Sequence, residues 1–198
     1  MQRNYIFIRH GQPELRDALL GNTDSALAES GWQQLHNACD ALPKIHQCFS
    51  SPLLRCSAFA EYWSQRQGLS LQLEQNLREM DFGDWDGQPY DKLWQQPSPH
   101  LGDFWQDPWQ ITPPQGESMQ AFSQRIDTWW QHQLEHPLPG NTLVFTHGGV
   151  IRHILARVLG LPLPGSLHLS QIKLDYASAI TIGLYTDEHG QSWPQLRL

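Results

Sequence analysis

The sequence predicts an α/β fold, a three-layer α/β/α sandwich around a mainly parallel central sheet. Short β-rich runs alternate with helical runs along most of the chain, the order that builds parallel sheets. Two of these runs, Tyr5-Ile6-Phe7-Ile8-Arg9-His10-Gly11 and Thr142-Leu143-Val144-Phe145-Thr146-His147-Gly148-Gly149, end in His-Gly. In open α/β sheets the carboxyl ends of strands are where ligands bind, so two such endings point to two histidines facing one pocket. The 198 residues suffice for a single domain with a sizeable core.

Asn4 to Arg9 reads as the first strand, and Gly11 lets the chain turn away from it. Residues 15–28 read as a loop, with turn signals at Gly21-Asn22 and Thr23-Asp24. Glu29 to Leu42 has helical character and Pro43 stops it. Gln47 to Ser50 is a short strand, Leu53 to Gln67 a helix ended by Gly68, and Ser70 to Leu73 a further strand. Phe82 to Gln88 carries glycines and acids and reads as a loop. Residues 97–116 are rich in proline and aromatic residues, a composition that suits a functional loop. Ser118 caps a helix reaching Glu135, whose Met119, Phe122, Ile126, Trp129, Trp130 and Leu134 make a core-facing stripe. Thr142 to Thr146 is a strand and Gly149 to Leu159 a helix. Ala179 to Thr186 and Ser192 to Leu198 flank a turn at Glu188-His189-Gly190, as in a hairpin at a sheet edge.

Composition narrows the function. Apolar residues make up 39% and charged residues 17%, which suits a globular chain and not a disordered one. A net charge of −7 disfavours non-specific nucleic-acid binding. No apolar run approaches the roughly 20 residues of a membrane span. Met1-Gln2-Arg3-Asn4 leads straight into the first strand, so no signal peptide and a cytoplasmic location are expected. Cys39, Cys48 and Cys56 lack metal-ligand spacing and read as reduced packing residues.

Six ordered blocks carry the chemistry. They are Ile8-Arg9-His10-Gly11; Gly21-Asn22-Thr23-Asp24 with Leu27 and Gly31; Ser50-Ser51-Pro52-Leu53-Leu54-Arg55; Leu77-Arg78-Glu79-Met80-Asp81-Phe82-Gly83-Asp84-Trp85-Asp86-Gly87; Gly116-Glu117-Ser118; and Thr146-His147-Gly148-Gly149-Val150-Ile151-Arg152. In this order and spacing they resemble the histidine phosphatase, or phosphoglycerate-mutase-like, superfamily across about residues 4 to 160. The fourth block is most similar to the α-ribazole-5′-phosphate phosphatase branch, which acts in cobalamin assembly.

The resemblance implies that His10 is the nucleophile, forming a phosphohistidine. Imidazole suits this task, because one nitrogen attacks while a backbone acceptor holds the other and fixes the tautomer. The competing reading is a satisfied core histidine, which loses ground beside Arg9 and a second His-Gly motif. Arg9 and Arg55 are implied as the phosphate clamp, since a guanidinium offers paired donors to phosphoryl oxygens. His147 is the implied second histidine, held cationic by phosphate and donating to it, and Gly148-Gly149 open a helix with free N–H groups toward the anion. Glu79 fits the acid–base residue, protonating the leaving oxygen and then activating water. For Asp81, Asp84 and Asp86 a solvated loop is the preferred reading. Ser118 caps its helix and in the family also lines the substrate side. Gln12 follows the Arg-His-Gly block and is expected near the phosphate or the leaving group. Relatives often carry Asn six residues after the nucleophile, where this chain has Arg16, so Arg16 stays outside the catalytic set.

Other constellations are weaker. Cys48 and Arg55 stand six residues apart, too many for the loop of cysteine-dependent phosphatases. His132 and His136 have helical metal-ligand spacing but no third ligand, and are expected to be exposed. The chain thus reads as one domain, residues 1–198, with a cap of helix and loop at about 84–117. The expected reaction is metal-free, cofactor-free hydrolysis of a small phosphomonoester by a monomer or homodimer. α-Ribazole 5′-phosphate is the leading substrate, its benzimidazole suited to Trp85, Trp94, Phe104, Trp105 and Trp109. A broad small-metabolite phosphatase, a phosphoglycerate mutase and a non-catalytic phosphometabolite-binding protein are the alternatives. The known cofactor-dependent mutases are expected to be longer chains.

Overall fold

A computed structural model of the chain describes residues 3–96, 100–162 and 171–197. Its strands are β1 (Arg3–Arg9), β2 (Gln47–Ser50), β3 (Leu71–Leu73), β4 (Gly140–Thr146), β5 (Ala179–Thr186) and β6 (Ser192–Arg197). Its helices are α1 (Glu29–Asp40), α2 (Leu54–Gln67), α3 (Tyr90–Leu93), α4 (Leu101–Gln106), α5 (Met119–Glu135) and α6 (Gly148–Val158). The sheet order is β3-β2-β4-β1-β5-β6. β3, β2, β4 and β1 pair in parallel, while β5 is antiparallel to both β1 and β6. β6 therefore points the same way as β1, and β5 alone among these strands runs against the rest. The predicted mainly parallel sheet and its terminal hairpin are both present.

Side-chain alternation along β1 builds the three layers. Tyr5 and Phe7 face a cluster with Phe122, Ile126, Trp129 and Trp130 of α5 and Ile151 and Ile154 of α6. Ile6 and Ile8 face the opposite cluster, with Leu35 and Cys39 of α1 and Cys56, Phe59 and Ala60 of α2. Helices on both faces cover the sheet, as its continuous apolar strands require. The predicted stripe on α5 is the core of the first cluster.

The parallel pairing of β2, β4 and β1 also positions the site. Ser50 pairs with Phe145 and Arg9 with Thr146, so the three strands end side by side. The residues that follow them, Ser51, His147 and His10, are thereby delivered to one edge.

Residues 82–116 differ from the sequence expectation in detail. A 3₁₀ turn at Gly83–Trp85 interrupts the predicted 82–88 loop. Within the irregular 97–116 section, Leu101–Gln106 is helical, with His100 and Asp103 forming a reciprocal capping box. Six residues are too few to show a helical period, and nearby prolines mask the element. Residues 97–99 and Leu198 lie outside the described residues.

Candidate active site

His10 follows β1 and is 5% exposed. Its backbone N–H donates to Thr146 O across the sheet edge (2.9 Å). Its Nδ1 lies 2.8 Å from the carbonyl of Gly11, which can only accept, so Nδ1 carries the proton and Nε2 keeps its lone pair. Burial, then Arg55 and Arg9, push the His10 pKa well below the ordinary 6.5. The ring is therefore a neutral imidazole with one nitrogen free to attack.

His147 caps α6 at the end of β4 and is fully buried. Its ring centroid lies 5.2 Å from that of His10. Burial lowers its pKa well below 6.5, with Arg55, His10, Arg125 and Arg9 adding to the effect. Among these cations the ring of the free protein is neutral; the cationic state expected from the sequence belongs to the phosphate-bound site.

Arg55 sits in the first turn of α2 and is fully buried, so it is no surface ion pair. Its Nη1 donates to Thr23 O (2.8 Å) and its Nη2 to Gly21 O (2.6 Å). That loop is itself held by Asp86, whose carboxylate accepts from the backbone N–H of Gly21, Asn22, Thr23 and Phe82. Asp86 is thus a loop clamp that positions Arg55, which corrects the solvated-loop expectation for that residue. Asp81 accepts from Gly83 N, shaping the 3₁₀ turn.

Arg9 donates from Nη1 to Leu174 O (2.6 Å), and its guanidinium lies 4.3 Å from the centre of the Tyr176 ring. The Nε–H groups of Arg9 and Arg55 are buried and have no hydrogen-bond partner among the described residues. Two guanidiniums with donors to spare, flanking two neutral histidines, suit an oxyanion.

Glu79 is fixed from several sides. Arg125 of α5 donates to the carbonyls of Asn76, Arg78 and Glu79 while paired with Glu117. The Glu79 carboxylate accepts from Met80 N (3.1 Å) and from Gly149 N in the first turn of α6 (3.0 Å). The N–H of Gly149 is thus committed to Glu79. A helix terminus expected to face phosphate spends this donor on Glu79 instead.

Gly149 is required there. A Cβ on it would lie 2.2 Å from Glu79 Oε1. The obstructing atom is the end of a flexible side chain, so Gly149→Ala is expected to leave the fold intact and swing Glu79 away. Activity should fall by about 10²–10⁴-fold, the range of a lost general acid–base group, while Tm holds or rises. Unchanged kcat in a variant of normal Tm would remove Glu79 from the mechanism.

Other expected residues fare differently. Gln12 accepts from Ser30 Oγ through its side-chain oxygen (2.8 Å), a bond that ties it to α1. Ser118 accepts from Ala121 N as a cap, and its neighbour Met119 lines the cavity beside Glu79. Arg16 is exposed. His132 and His136 are exposed, their rings stacked 4.8 Å apart. Among the described residues no group of three or more acids, histidines and cysteines could hold a metal.

The aromatic set is corrected as well. The cavity beside Glu79 is about 70 Å³ and is lined by Met80, Phe82, Phe104, Trp105, Met119 and Phe122. Trp85 fills the core at 2% exposure, Trp94 is exposed, and Trp109 lines a separate cleft against α5.

Sequence reasoning missed Tyr176, Arg152, Cys56 and Ser51. Arg152 lies four residues after Gly148 in α6, on the same helical face. A Cβ on Gly148 would meet Arg152 Nη1 at 3.2 Å and Arg9 Nε at 3.5 Å. That spacing is readable in the sequence, whereas nothing local marks Tyr176. Cys56, expected only to pack, sits 3.5 Å from His147 Nε2, its thiol pushed up to about 12 by burial.

Residues 5–193 match the family described as histidine phosphatase superfamily, branch 1. The chain belongs to that superfamily. The enzyme is 31% identical over 166 residues to the adenosylcobalamin/alpha-ribazole phosphatase of Escherichia coli, a match covering 81% of each chain. It is 29% identical to a 2,3-bisphosphoglycerate-dependent phosphoglycerate mutase of Bartonella quintana, over 81% of this chain and 84% of the mutase. The two are of similar length, so chain length does not separate phosphatase from mutase, contrary to expectation. A solved Escherichia coli structure, provisionally assigned as an alpha-ribazole-5′-P phosphatase, superposes with a TM-score of 0.85 at 25% identity, covering 99% of this enzyme and 95% of that chain. No described helix is long and apolar enough to cross a membrane.

The buried histidines also set a stability trend. Their folded pKa values lie below the unfolded 6.5, so below that pH the unfolded chain binds protons that the folded enzyme does not. Stability is therefore present above about pH 6.5 and is lost as pH falls toward the folded pKa values. Each histidine contributes a slope of up to about 1.4 kcal/mol per pH unit. Urea midpoints should drop between pH 7.5 and 5.5, and the drop should flatten in His10→Asn/His147→Asn. A midpoint independent of pH in this window would mean that the two rings are not held neutral.

Proposed function

We propose that this enzyme is a metal-independent phosphomonoesterase acting through a phosphohistidine on His10, with α-ribazole 5′-phosphate as its leading substrate in cobalamin assembly. The observation that carries the chemistry is His10 itself, with Nδ1 on Gly11 O and Nε2 free beside His147, and with buried Arg55 and half-buried Arg9 each keeping an unused Nε–H. Nε2 attacks phosphorus in line, a P–N bond forms and the P–O bond to the leaving group breaks. Glu79 gives its proton to the departing oxygen. In the second step Glu79 takes a proton from water, whose oxygen attacks phosphorus, and the P–N bond breaks to release phosphate. Arg9 and Arg55 stabilise the equatorial oxygens in both steps. The histidine accepts and returns the phosphoryl group, and the arginines supply the charge that a metal would otherwise bring. Chelator dialysis is accordingly expected to leave the rate unchanged, and restoration of a lost rate by Mg²⁺ or Zn²⁺ would contradict the proposal.

The substrate assignment draws support from the named phosphatase relatives and from the aromatic cavity beside Glu79. At about 70 Å³ that cavity is far below the roughly 300–1,000 Å³ of a drug-sized site. It would take a ring edge, with the rest of the leaving group lying over Trp105, which is 37% exposed. The test is a panel of α-ribazole 5′-phosphate, 3-phosphoglycerate, phosphoserine and sugar phosphates, read for inorganic phosphate and for isomer. Phosphate release with the highest kcat/KM for α-ribazole 5′-phosphate is expected. Isomer formation from 3-phosphoglycerate would favour the mutase reading, and a preference for sugar phosphates would overturn the substrate.

A further inference from the structure

We propose that Ser51 is a positioning residue that holds His147 of the free enzyme as its Nδ1–H tautomer, so that Nδ1–H is the donor this histidine offers to the phosphoryl group. Ser51 follows β2 at the strand-end edge, is fully buried, and its backbone N–H donates to Phe145 O (2.9 Å). Its hydroxyl oxygen accepts from Leu53 N (3.3 Å) and lies 2.7 Å from His147 Nε2. The Leu53 bond uses one of the hydroxyl's two lone pairs, and the hydroxyl proton goes to Nε2. The imidazole nitrogen is an acceptor at ordinary O–H···N distance, and burial among cations keeps that ring from protonating. If Nε2 accepts, a neutral ring must carry its proton on Nδ1.

Cys56 Sγ also lies 3.5 Å from Nε2 and 3.9 Å from Nδ1, but its thiol donates to Thr146 O (3.4 Å) and sulfur is the weaker partner beside the Ser51 hydroxyl at 2.7 Å. Nδ1–H is therefore the donor left to the ring, which stands 5.2 Å from His10. The alternative is that Ser51 only shapes the entry to α2 through Leu53 N. That role would leave the tautomer of His147 untouched.

The kinetic part of this proposal rests on the phosphohistidine reading, whereas the tautomer does not. The direct test is two-bond ¹H–¹⁵N correlation spectroscopy on the free, ¹⁵N-histidine-labelled enzyme at neutral pH, with His147→Asn to assign the signals. Nδ1 of His147 should read as protonated and Nε2 as bare. Ser51→Ala should move proton population onto Nε2 and slow phosphorylation of His10 by roughly 10–100-fold, the cost typical of losing a partner that orients a functional histidine. Ser51→Thr, which keeps the hydroxyl, should restore both. A wild-type Nε2–H or doubly protonated ring would overturn the proposal without any variant. So would a folded Ser51→Ala with the tautomer or the phosphorylation rate unchanged. If no phosphate reaches His10 even in the wild type, the phosphohistidine reading fails, and the spectrum still decides the tautomer.

Discussion

His10→Ala is expected to abolish turnover while the fold survives. The ring is held by Gly11 O, feels the charge of Arg55 and Arg9, and contributes no hydrogen bond that spans the sheet, since the bond to Thr146 comes from its backbone. Its removal eliminates the atom that accepts the phosphoryl group. Losses of about 10⁴–10⁶-fold in kcat are typical when a covalent nucleophile is deleted. Steady-state rates with α-ribazole 5′-phosphate and p-nitrophenyl phosphate, alongside thermal melts, check this. A well-folded variant retaining more than a few per cent of activity would mean that water attacks the ester directly.

Glu79→Gln should hurt most where the leaving oxygen is basic. General-acid help is worth about 10²–10⁴-fold and scales with the need of the departing oxygen for a proton. A ribosyl alkoxide needs one, whereas p-nitrophenolate needs little. The amide oxygen can keep the hydrogen bond from Gly149 N, while its NH2 group then faces Met80 N and forfeits that bond, so thermal melts must accompany the kinetics. Because Glu79 also serves the second step, burst kinetics must isolate the rate of His10 phosphorylation. Equal losses for both substrates would remove Glu79 as the acid and leave Asp81 as the next residue to test.

The legible part of this site is the part written in strand ends. His10 and His147 each follow an apolar run, and parallel pairing of neighbouring strands brings such ends together whatever the intervening sequence. Arg55 and Glu79 are legible through their ordered blocks, but their supports are not. Asp86 reads locally as one of several loop acids. Only the fold brings it against Gly21, Asn22 and Thr23, more than sixty residues away in sequence. Tyr176 reaches Arg9 from the far end of the chain for the same reason. Motif chemistry speaks to the charge of His147 with phosphate bound and says nothing of its burial. In the free enzyme, burial and the surrounding arginines decide that charge. The aromatic residues of the cap share one composition, but burial divides them: Phe104 and Trp105 face the cavity while Trp85 fills the core.

The measurement that bears most directly on the central claim is transfer of label from ³²P-labelled substrate to the enzyme, followed by rapid quench into alkali, where the P–N bond survives. Label should appear on the peptide carrying His10 within the first turnover and decay at a rate matching or exceeding kcat. Phosphate release with no labelled enzyme at any time, or label on His147 instead, would contradict the account.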